Sequence, residues 1–172
     1  MEQNPQEPAP ELEKLAYFVG EWICQGTIAP GPWGAGGQFR WSEYSDWMRG
    51  KFFVVGRWQY HIPSELGGDG EELFVMGYDP KRRVYTFDAF SSDGQHQVSK
   101  GTIRENTWTW RGEAICEGKT RQQKMTMRIV SETTYQLRFE VSDDGAEWRT
   151  FMEGQATRTA ARQTKQKSPG PF

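Results

Sequence analysis

The chain has 172 residues and a formal net charge of −2, and 35% of its residues are hydrophobic and 14% aromatic. This length predicts one domain, and the mixed, nearly balanced charges argue against a nucleic-acid-binding surface. No apolar run approaches the roughly 20 residues that span a membrane. The N-terminus lacks the basic start and apolar core of a secretory signal, so the cytoplasm is the expected location.

The two ends of the chain are predicted to lie outside the folded domain. Residues 1–10 are polar, acidic and proline-rich, and residues 159–172 form a basic tail; neither contains enough apolar surface to offset the entropy of ordering it. The predicted domain is therefore 11–158, between a disordered leader and a disordered tail. Leu12, Leu15 and Phe18 repeat at three-residue spacing, which predicts one or two helical turns over residues 10–18 that close one end of the domain.

After this helical segment, short stretches of alternating apolar and polar residues are separated by turn residues, and this pattern predicts short strands. Arg49-Gly50 and Asp143-Asp144-Gly145 are typical of tight turns between antiparallel strands. The regular spacing favours an all-β, antiparallel up-and-down barrel of about ten strands. The predicted strands are 20–28, 37–48, 51–60, 72–79, 83–91, 95–104, 107–112, 122–131, 133–142 and 147–158.

The first and last strands carry residues suited to a barrel floor. Gly20 permits a tight turn into the first strand, and Trp22 supplies one large ring that can plug the narrow end. Arg158, at the end of the last strand, is predicted to lie over that ring in a cation–π contact. These three residues are the predicted structural floor.

Alternation along the later strands separates an inner from an outer face. The predicted inner face is aromatic and methionine-rich and would line a ligand pocket: Trp108, Trp110, Met125, Met127, Tyr135, Leu137 and Phe139. Strands 52–60, 73–78 and 84–90 are instead apolar on both faces, which indicates either a covered outer face or an interface. Homodimerisation through this outer face is therefore predicted.

Charged residues interrupt the apolar strands at three positions, Arg57, Asp88 and Arg111. A charge inside a barrel must be paired or hydrogen-bonded, so whichever of them points inward would either anchor a polar ligand group or fix the interior. An outward position is the remaining alternative. Trp33 stands in the Gly/Pro-rich segment 29–36 and is predicted to act as a lid over the ligand, because loops at barrel mouths often carry function.

The other chemistry-bearing residues favour structural roles. His61 and His96 have polar or turn-forming neighbours and are interpreted as surface residues rather than haem ligands. Cys24 and Cys116 are interpreted as free, partly buried thiols. No Cys/His cluster predicts a metal site, and no G-x-S-x-G motif predicts a hydrolase nucleophile.

The stretch Leu15-Ala16-Tyr17-Phe18-Val19-Gly20-Glu21-Trp22 resembles the opening of calycin-type barrels such as lipocalins and fatty-acid-binding proteins. A similar order of motifs occurs in a mostly bacterial domain-of-unknown-function family, number fifteen seventy-nine. The motifs are Gly50-Lys51-Phe52-Phe53-Val54, Gly77-Tyr78-Asp79 and the continuation through Tyr85, Asp88 and Ser92-Asp93-Gly94. The resemblance spans roughly residues 12–158 and implies a lipocalin-like barrel with no assigned activity.

Three functional hypotheses follow from these observations. The first is a carrier or sensor that binds a small apolar or amphipathic molecule non-covalently, since a barrel of this size can enclose one small ligand. The second is a barrel filled by its own side chains that acts through the outer dimer or adaptor surface. The third, less favoured, is an enzyme, including a haem-dependent one, for which Asp88 with an Arg or Tyr is the only candidate pair. No cofactor is predicted.

Overall fold

The computed structural model describes residues 7–116 and 119–159, and of 114–116 and 119 it describes the backbone alone. The fold consists of ten strands and two short 3₁₀ segments, η1 and η2. Their bounds, in chain order, are η1 Pro10–Phe18, β1 Gly20–Ile28, β2 Gly37–Trp47, β3 Val54–His61, η2 Ser64–Leu66, β4 Gly70–Asp79, β5 Val84–Ser91, β6 His96–Arg104, β7 Thr107–Cys116, β8 Lys119–Ser131, β9 Thr134–Ser142 and β10 Arg149–Arg158.

The ten strands form one closed antiparallel barrel. Each strand pairs with its neighbours in sequence, and β1 pairs with β10 to complete the circle. The closing register runs from Trp22 opposite Arg158 to Ile28 opposite Met152. Closure leaves no strand edge unpaired among the described strands, and it confirms the predicted up-and-down barrel of about ten strands with a short N-terminal helical turn.

Strand bounds differ from the sequence-based prediction mainly at two places. β3 begins at Val54 rather than at residue 51, because Gly50 (φ +93°) and Lys51 (φ +59°) adopt the positive backbone angles of a turn. β7 continues past Gly112 to Cys116, and β8 begins at Lys119. The sequence around Gly112 is polar and contains glycine, so apolar alternation does not reveal the end of β7 or the start of β8.

The barrel has two unlike ends. The chain enters at one end, called here the floor, through η1, whose Leu12, Leu15 and Phe18 are buried as predicted. The floor also holds the β2–β3, β4–β5, β6–β7 and β8–β9 turns, since connections alternate between ends in an up-and-down barrel. The opposite end, called here the mouth, holds the connections 29–36, 62–69, 92–95 and 143–148.

Aromatic rings fill much of the interior. Ring contacts with centroids 5.0–5.7 Å apart run from Phe39 at the mouth through Trp41, Trp58, Phe87 and Trp110 to Trp108. The chain of rings continues through Phe18 to Tyr135 and Trp22 at the floor. Such offset and edge contacts each contribute on the order of 1 kcal/mol beyond burial, so rings rather than aliphatic side chains dominate this core.

Candidate functional site

The floor is closed by Trp22 and Arg158 together with the end of η1. The Arg158 guanidinium carbon lies 4.4 Å from the centre of the fully buried Trp22 ring. Its nitrogen atoms donate to the carbonyl oxygens of Val19 and Tyr17. A Cβ added at Gly20 would lie 2.9 Å from an Arg158 nitrogen, and φ is +121° there, so glycine is required for this approach. The predicted Trp22–Arg158 contact is present, and it seals this end.

Glu43 places a carboxyl group inside the aromatic core. It lies on β2 directly opposite Trp22 on β1 and Trp58 on β3, and it is only 5% exposed. The Trp58 indole nitrogen donates to Glu43 Oε2 at 2.8 Å. Burial raises the pKa of Glu43 to about 7, although the hydrogen bond from Trp58 and the positive charge of Arg158 oppose that rise. Glu43 therefore changes its protonation state near neutral pH.

Cys24 on the neighbouring strand β1 and Tyr135 on β9, across the interior, both interact with Glu43. Both side chains are fully buried. Burial raises the pKa of the Tyr135 phenol, and the Glu43 carboxyl raises it further. Burial and the same carboxyl also raise the pKa of the Cys24 thiol, so Cys24 stays a neutral thiol and is a poor nucleophile. The group is a buried polar cluster with one titrating member.

A second set of inward polar residues lies in the half of the barrel nearer the mouth. Glu72 stands directly opposite Trp58 on β3 and Ser91 on β5. Its Oε1 atom is buried without a hydrogen-bond partner among the described residues. Burial raises the pKa of Glu72 to about 7, with a further contribution from the negative charge of Asp93. Ser99 and Gln123 are also buried; we call Glu72, Ser91, Gln97, Ser99 and Gln123 the mouth cluster.

Several buried donors within the core also lack partners. The indole nitrogens of Trp41, Trp108 and Trp110 are shielded from solvent and have no hydrogen-bond partner in the described part of the protein. A buried polar group without a partner costs about 1–3 kcal/mol, and such groups are rare in folded proteins. Three such indole nitrogens lie in this one interior, and the described residues supply no partner for them.

The predicted lining residues largely occupy the interior. Trp108, Trp110, Met125, Met127, Tyr135 and Leu137 are buried in the core, and Phe139 is partly buried against it. Trp33 lies in the 29–36 connection at the mouth, where its ring packs edge-on against Phe151 at 5.1 Å. Its indole nitrogen donates to the Ala29 carbonyl at 2.7 Å. Trp33 is therefore a partly buried residue of the mouth that packs against the edge of the core, and its action as a lid stays a prediction.

The three charged candidates all lie on the outer face, so none anchors a ligand inside the barrel. Arg57 is more than half exposed and lies 3.6 Å from Glu71. Asp88 lies 3.4 Å from His96. Arg111 is exposed and lies 5.3 Å from the centre of the Trp148 ring. Closure of the barrel turns the alternate positions of β3, β5 and β7 inward, including Trp58, Phe87 and Trp110.

The positions of His61, His96 and Cys24 are consistent with surface or structural roles. His61 and His96 are both exposed, and His61 pairs with Asp69 at 3.0 Å, which confirms their interpretation as surface residues. Cys24 is a free, buried thiol, whereas the side chain of Cys116 lies outside the described residues. Within the described ranges no group of His, Cys, Asp and Glu has metal-binding geometry, and no helix there is long and apolar enough to cross a membrane.

Sequence reasoning missed Glu43 and Glu72, the two carboxyl groups of the interior. A signal was present in the strand pattern, since Glu43 shares its alternate positions with Phe39, Trp41 and Ser45, all of which are buried. Glu72 likewise alternates with Phe74 and Met76 on β4. An acidic residue on an otherwise aromatic inner face is uncommon, because an unpaired buried charge is costly.

The fold and the interior together define a closed ten-stranded antiparallel β-barrel with an aromatic core and titrating carboxyl groups. The family model described as "Protein of unknown function (DUF1579)" matches residues 7–158. The chain belongs to this family, which confirms the resemblance seen in its motifs. No protein of curated function matches it.

Two solved structures are similar to this chain at low identity. The crystal structure of Rv2717c from M. tuberculosis superposes with a TM-score of 0.61 at 10% identity, covering 90% of this chain and 100% of that one. A de novo designed fluorescence-activating β-barrel gives a TM-score of 0.46 at 18% identity, over 84% of this chain and 95% of the other. The first likeness shows a common barrel fold and nothing about a ligand.

Proposed function

We propose that the barrel binds a small amphipathic or apolar molecule non-covalently in the half of its interior nearer the mouth. The observation that carries this proposal is the set of buried polar atoms without partners among the described residues, the Trp41 and Trp110 indole nitrogens and Glu72 Oε1. A core that served stability alone would gain from satisfied or apolar groups at these positions.

The inner surface combines the two features that a small-molecule site requires. Trp58, Phe87 and Trp110 provide aromatic walls, and Met125 provides an adaptable one. The mouth cluster adds a few polar groups to this apolar surface, and the Gln97 amide donates to the Ser99 hydroxyl at 3.1 Å. An amphipathic ligand would place its apolar body against the rings and its polar end on the mouth cluster.

Ligand screening by tryptophan fluorescence tests this proposal. Fatty acids, alkyl alcohols and small aromatic compounds are titrated into the protein, and native mass spectrometry of protein purified from its own host reports any molecule carried through purification. Ser99→Phe fills the inner face of β6 and should abolish binding, whereas Thr102→Phe adds the same ring on the outer face of that strand and should not. Equal binding by both variants would contradict an interior site.

A second candidate function is self-association through the outer face of β3–β6. Phe53, Leu73, Phe90 and Val98 are 42–52% exposed there, and Leu73 is directly paired with Phe90 across β4 and β5. Contiguous exposed apolar surface commonly marks an interface. Sedimentation velocity tests it, because an interface would give a homodimer at micromolar concentration and a solvated patch would give a monomer at all concentrations.

A further inference from the structure

The turns at the two ends of the barrel carry opposite charge. In the described connections at the mouth there are six acidic residues and no Lys or Arg: Glu65, Asp69, Asp93, Asp143, Asp144 and Glu147. The floor turns carry five basic residues, Arg49, Lys51, Lys81, Arg82 and Arg83, against Glu105 and Glu132. Charge of one sign around an opening attracts ligands of the other sign and speeds their association.

An acidic residue is also present inside the mouth. Glu72 is an inward-facing acid of this half of the barrel, and in the described part of the chain it forms no salt bridge. Arg121 also lies near this end, but its guanidinium pairs with Asp143 at 2.8 Å. The interior near the mouth therefore presents one carboxyl group, that of Glu72, which has no salt-bridge partner among the described residues.

An aromatic ring stands between the two acids. Trp58 on β3 is the direct cross-strand partner of Glu43 on β2 and of Glu72 on β4. Directly opposed residues on one sheet face have Cβ atoms roughly 5 Å apart. Phe74 lies 4.9 Å from Trp58, and Phe87 lies 5.7 Å from it, ring centre to ring centre. Aromatic faces beside a carboxylate are the surroundings that proteins use to bind ammonium groups.

From these observations we infer that the mouth of the barrel binds an organic cation, a protonated amine or quaternary ammonium on an apolar or aromatic body, with Glu72 as its counter-ion. The inference rests on the proposed function and names its ligand class. The cationic head lies between Glu72 and the Trp58 ring, and the body extends along the aromatic core. The acidic turns attract the ligand, and the unpartnered Glu72 oxygen gains a partner when it arrives.

The protonation of Glu72 gives this inference a pH signature. Burial and the charge of Asp93 favour its neutral form, and the other partners on its neighbouring strands, Trp58 and Ser91, carry no charge. A cation stabilises the ionised form, so binding lowers the pKa of Glu72 and releases a proton at neutral pH. Affinity for a permanently charged ammonium should rise roughly tenfold from pH 6 to pH 8, as the ionised fraction rises through a pKa of about 7.

The test compares three probes with the same alkyl chain: decyltrimethylammonium, decanoate and 1-decanol. Their affinities for the full chain are measured by calorimetry and tryptophan fluorescence at pH 6, 7 and 8. We expect the ammonium to bind at least tenfold more tightly than decanoate, and its affinity to fall as salt is added. Equal or tighter binding of decanoate would overturn the inference.

Two variants identify the carboxyl group that binds the ammonium group. Glu72→Gln should weaken ammonium binding about tenfold and remove its pH dependence, and it should affect decanol much less, because glutamine keeps a hydrogen-bonding group at this position of the mouth cluster. Glu71→Gln is the matched control, because Glu71 is the adjacent residue on the exposed face of β4, and it should change none of these affinities. Ammonium binding that Glu72→Gln leaves intact would also overturn the inference. Should that variant not fold, the three-probe comparison on the natural chain decides alone.

The outcomes separate this inference from the function on which it rests. If none of the three probes binds, the proposed interior ligand site fails and the inference fails with it. If decanol binds and the ammonium binds no more tightly, the interior site stands and the cation preference is wrong.

Discussion

At the scale of single residues, Glu43 and Glu72 distinguish this interior from a purely apolar core. Both are inward-facing acids beside Trp58, and burial raises the pKa of each to about 7. An acid whose pKa is higher in the folded than in the unfolded chain binds more protons when folded, so stability falls as pH rises between the two values. The free energy of unfolding of the barrel therefore depends on pH near neutrality because of these two residues.

Glu43→Gln should flatten this pH dependence. In the natural chain, ionising Glu43 in the folded state costs stability as the pH rises from its unfolded pKa of 4.5 to about 7, and the loss is constant above that. The loss is of order 3 kcal/mol, at about 1.4 kcal/mol per pKa unit. The free energy of unfolding in urea, measured from pH 5 to pH 8, should therefore fall less in the variant than in the natural chain.

The pH dependence of the free energy of unfolding that remains in Glu43→Gln comes mainly from Glu72. The exposed Glu153, which lies 3.3 Å from Arg138 on the outer surface, provides the control. Glu153→Gln should leave the pH profile as it is. If the free energy of unfolding fell with pH as steeply in Glu43→Gln as in the natural chain, Glu43 would have an ordinary pKa in the folded protein.

Arg158 should contribute to stability through several contacts at once. Arg158→Ala removes the stacking on Trp22 at 4.4 Å and two hydrogen bonds to backbone carbonyls at the floor. We expect a loss of about 2 kcal/mol in the free energy of unfolding. Arg138→Ala removes only an exposed ion pair at 3.3 Å and should cost less than about 1 kcal/mol. Equal effects of the two substitutions would contradict the role of Arg158 at the floor.

At the scale of elements, η1 works as a plug for the floor rather than as an independent helix. Its buried residues pack under the barrel, and its backbone carbonyls accept hydrogen bonds from the barrel. The Trp22 indole and the Ser45 hydroxyl both donate to the Phe18 carbonyl, at 3.0 and 2.7 Å. The Tyr85 hydroxyl donates to the Glu11 carbonyl at 3.0 Å. A segment this short has little helical stability of its own, so these contacts hold it.

Leu15→Ala should therefore weaken the whole barrel. Leu15 is fully buried, and truncating such a leucine costs about 3 kcal/mol through lost burial and the cavity that remains. Urea unfolding followed by near-ultraviolet circular dichroism measures the loss together with the packing of Trp22. Lys14→Ala, at the exposed neighbouring position of η1, should change stability by less than about 0.5 kcal/mol. A Leu15→Ala variant as stable as the natural chain would show that η1 is not part of the core.

At the scale of the whole molecule, the outer apolar surface of β3–β6 is the main feature that the barrel alone does not explain. Phe53 lies over Gly77, where an added Cβ would approach its ring to 2.7 Å. Phe90 stacks on His96 with ring centres 4.4 Å apart. A second copy packed on this face would bury these exposed apolar side chains.

If the proposed self-association holds, Leu73→Lys should shift the chain to a monomer, because it puts a charge on this surface. Val130→Lys is the matched control, since Val130 is 54% exposed on β8, away from the surface. Sedimentation velocity across a concentration series distinguishes the two. A natural chain that stays monomeric at high micromolar concentration would refute the dimer.

The sequence by itself determined the class of fold, the order of the strands and the floor. Alternation and turn residues predicted ten antiparallel strands, and Gly20, Trp22 and Arg158 predicted the contact that closes one end. These features depend on local periodicity and on residues at the two ends of one closed sheet, so they can be read without knowing how distant strands pack.

Only the tertiary structure decided which residues face the interior of β3–β5 and what surrounds the buried acids. Where both faces of a strand are apolar, alternation defines two sets of positions without saying which set is inside, and closure of the barrel turned Arg57 and Asp88 outward. The pKa of Glu43 likewise depends on Trp58, Tyr135 and Arg158, which reach it from β3, β9 and β10. Burial and pairing across strands far apart in sequence are properties of the closed barrel, and no local pattern encodes them.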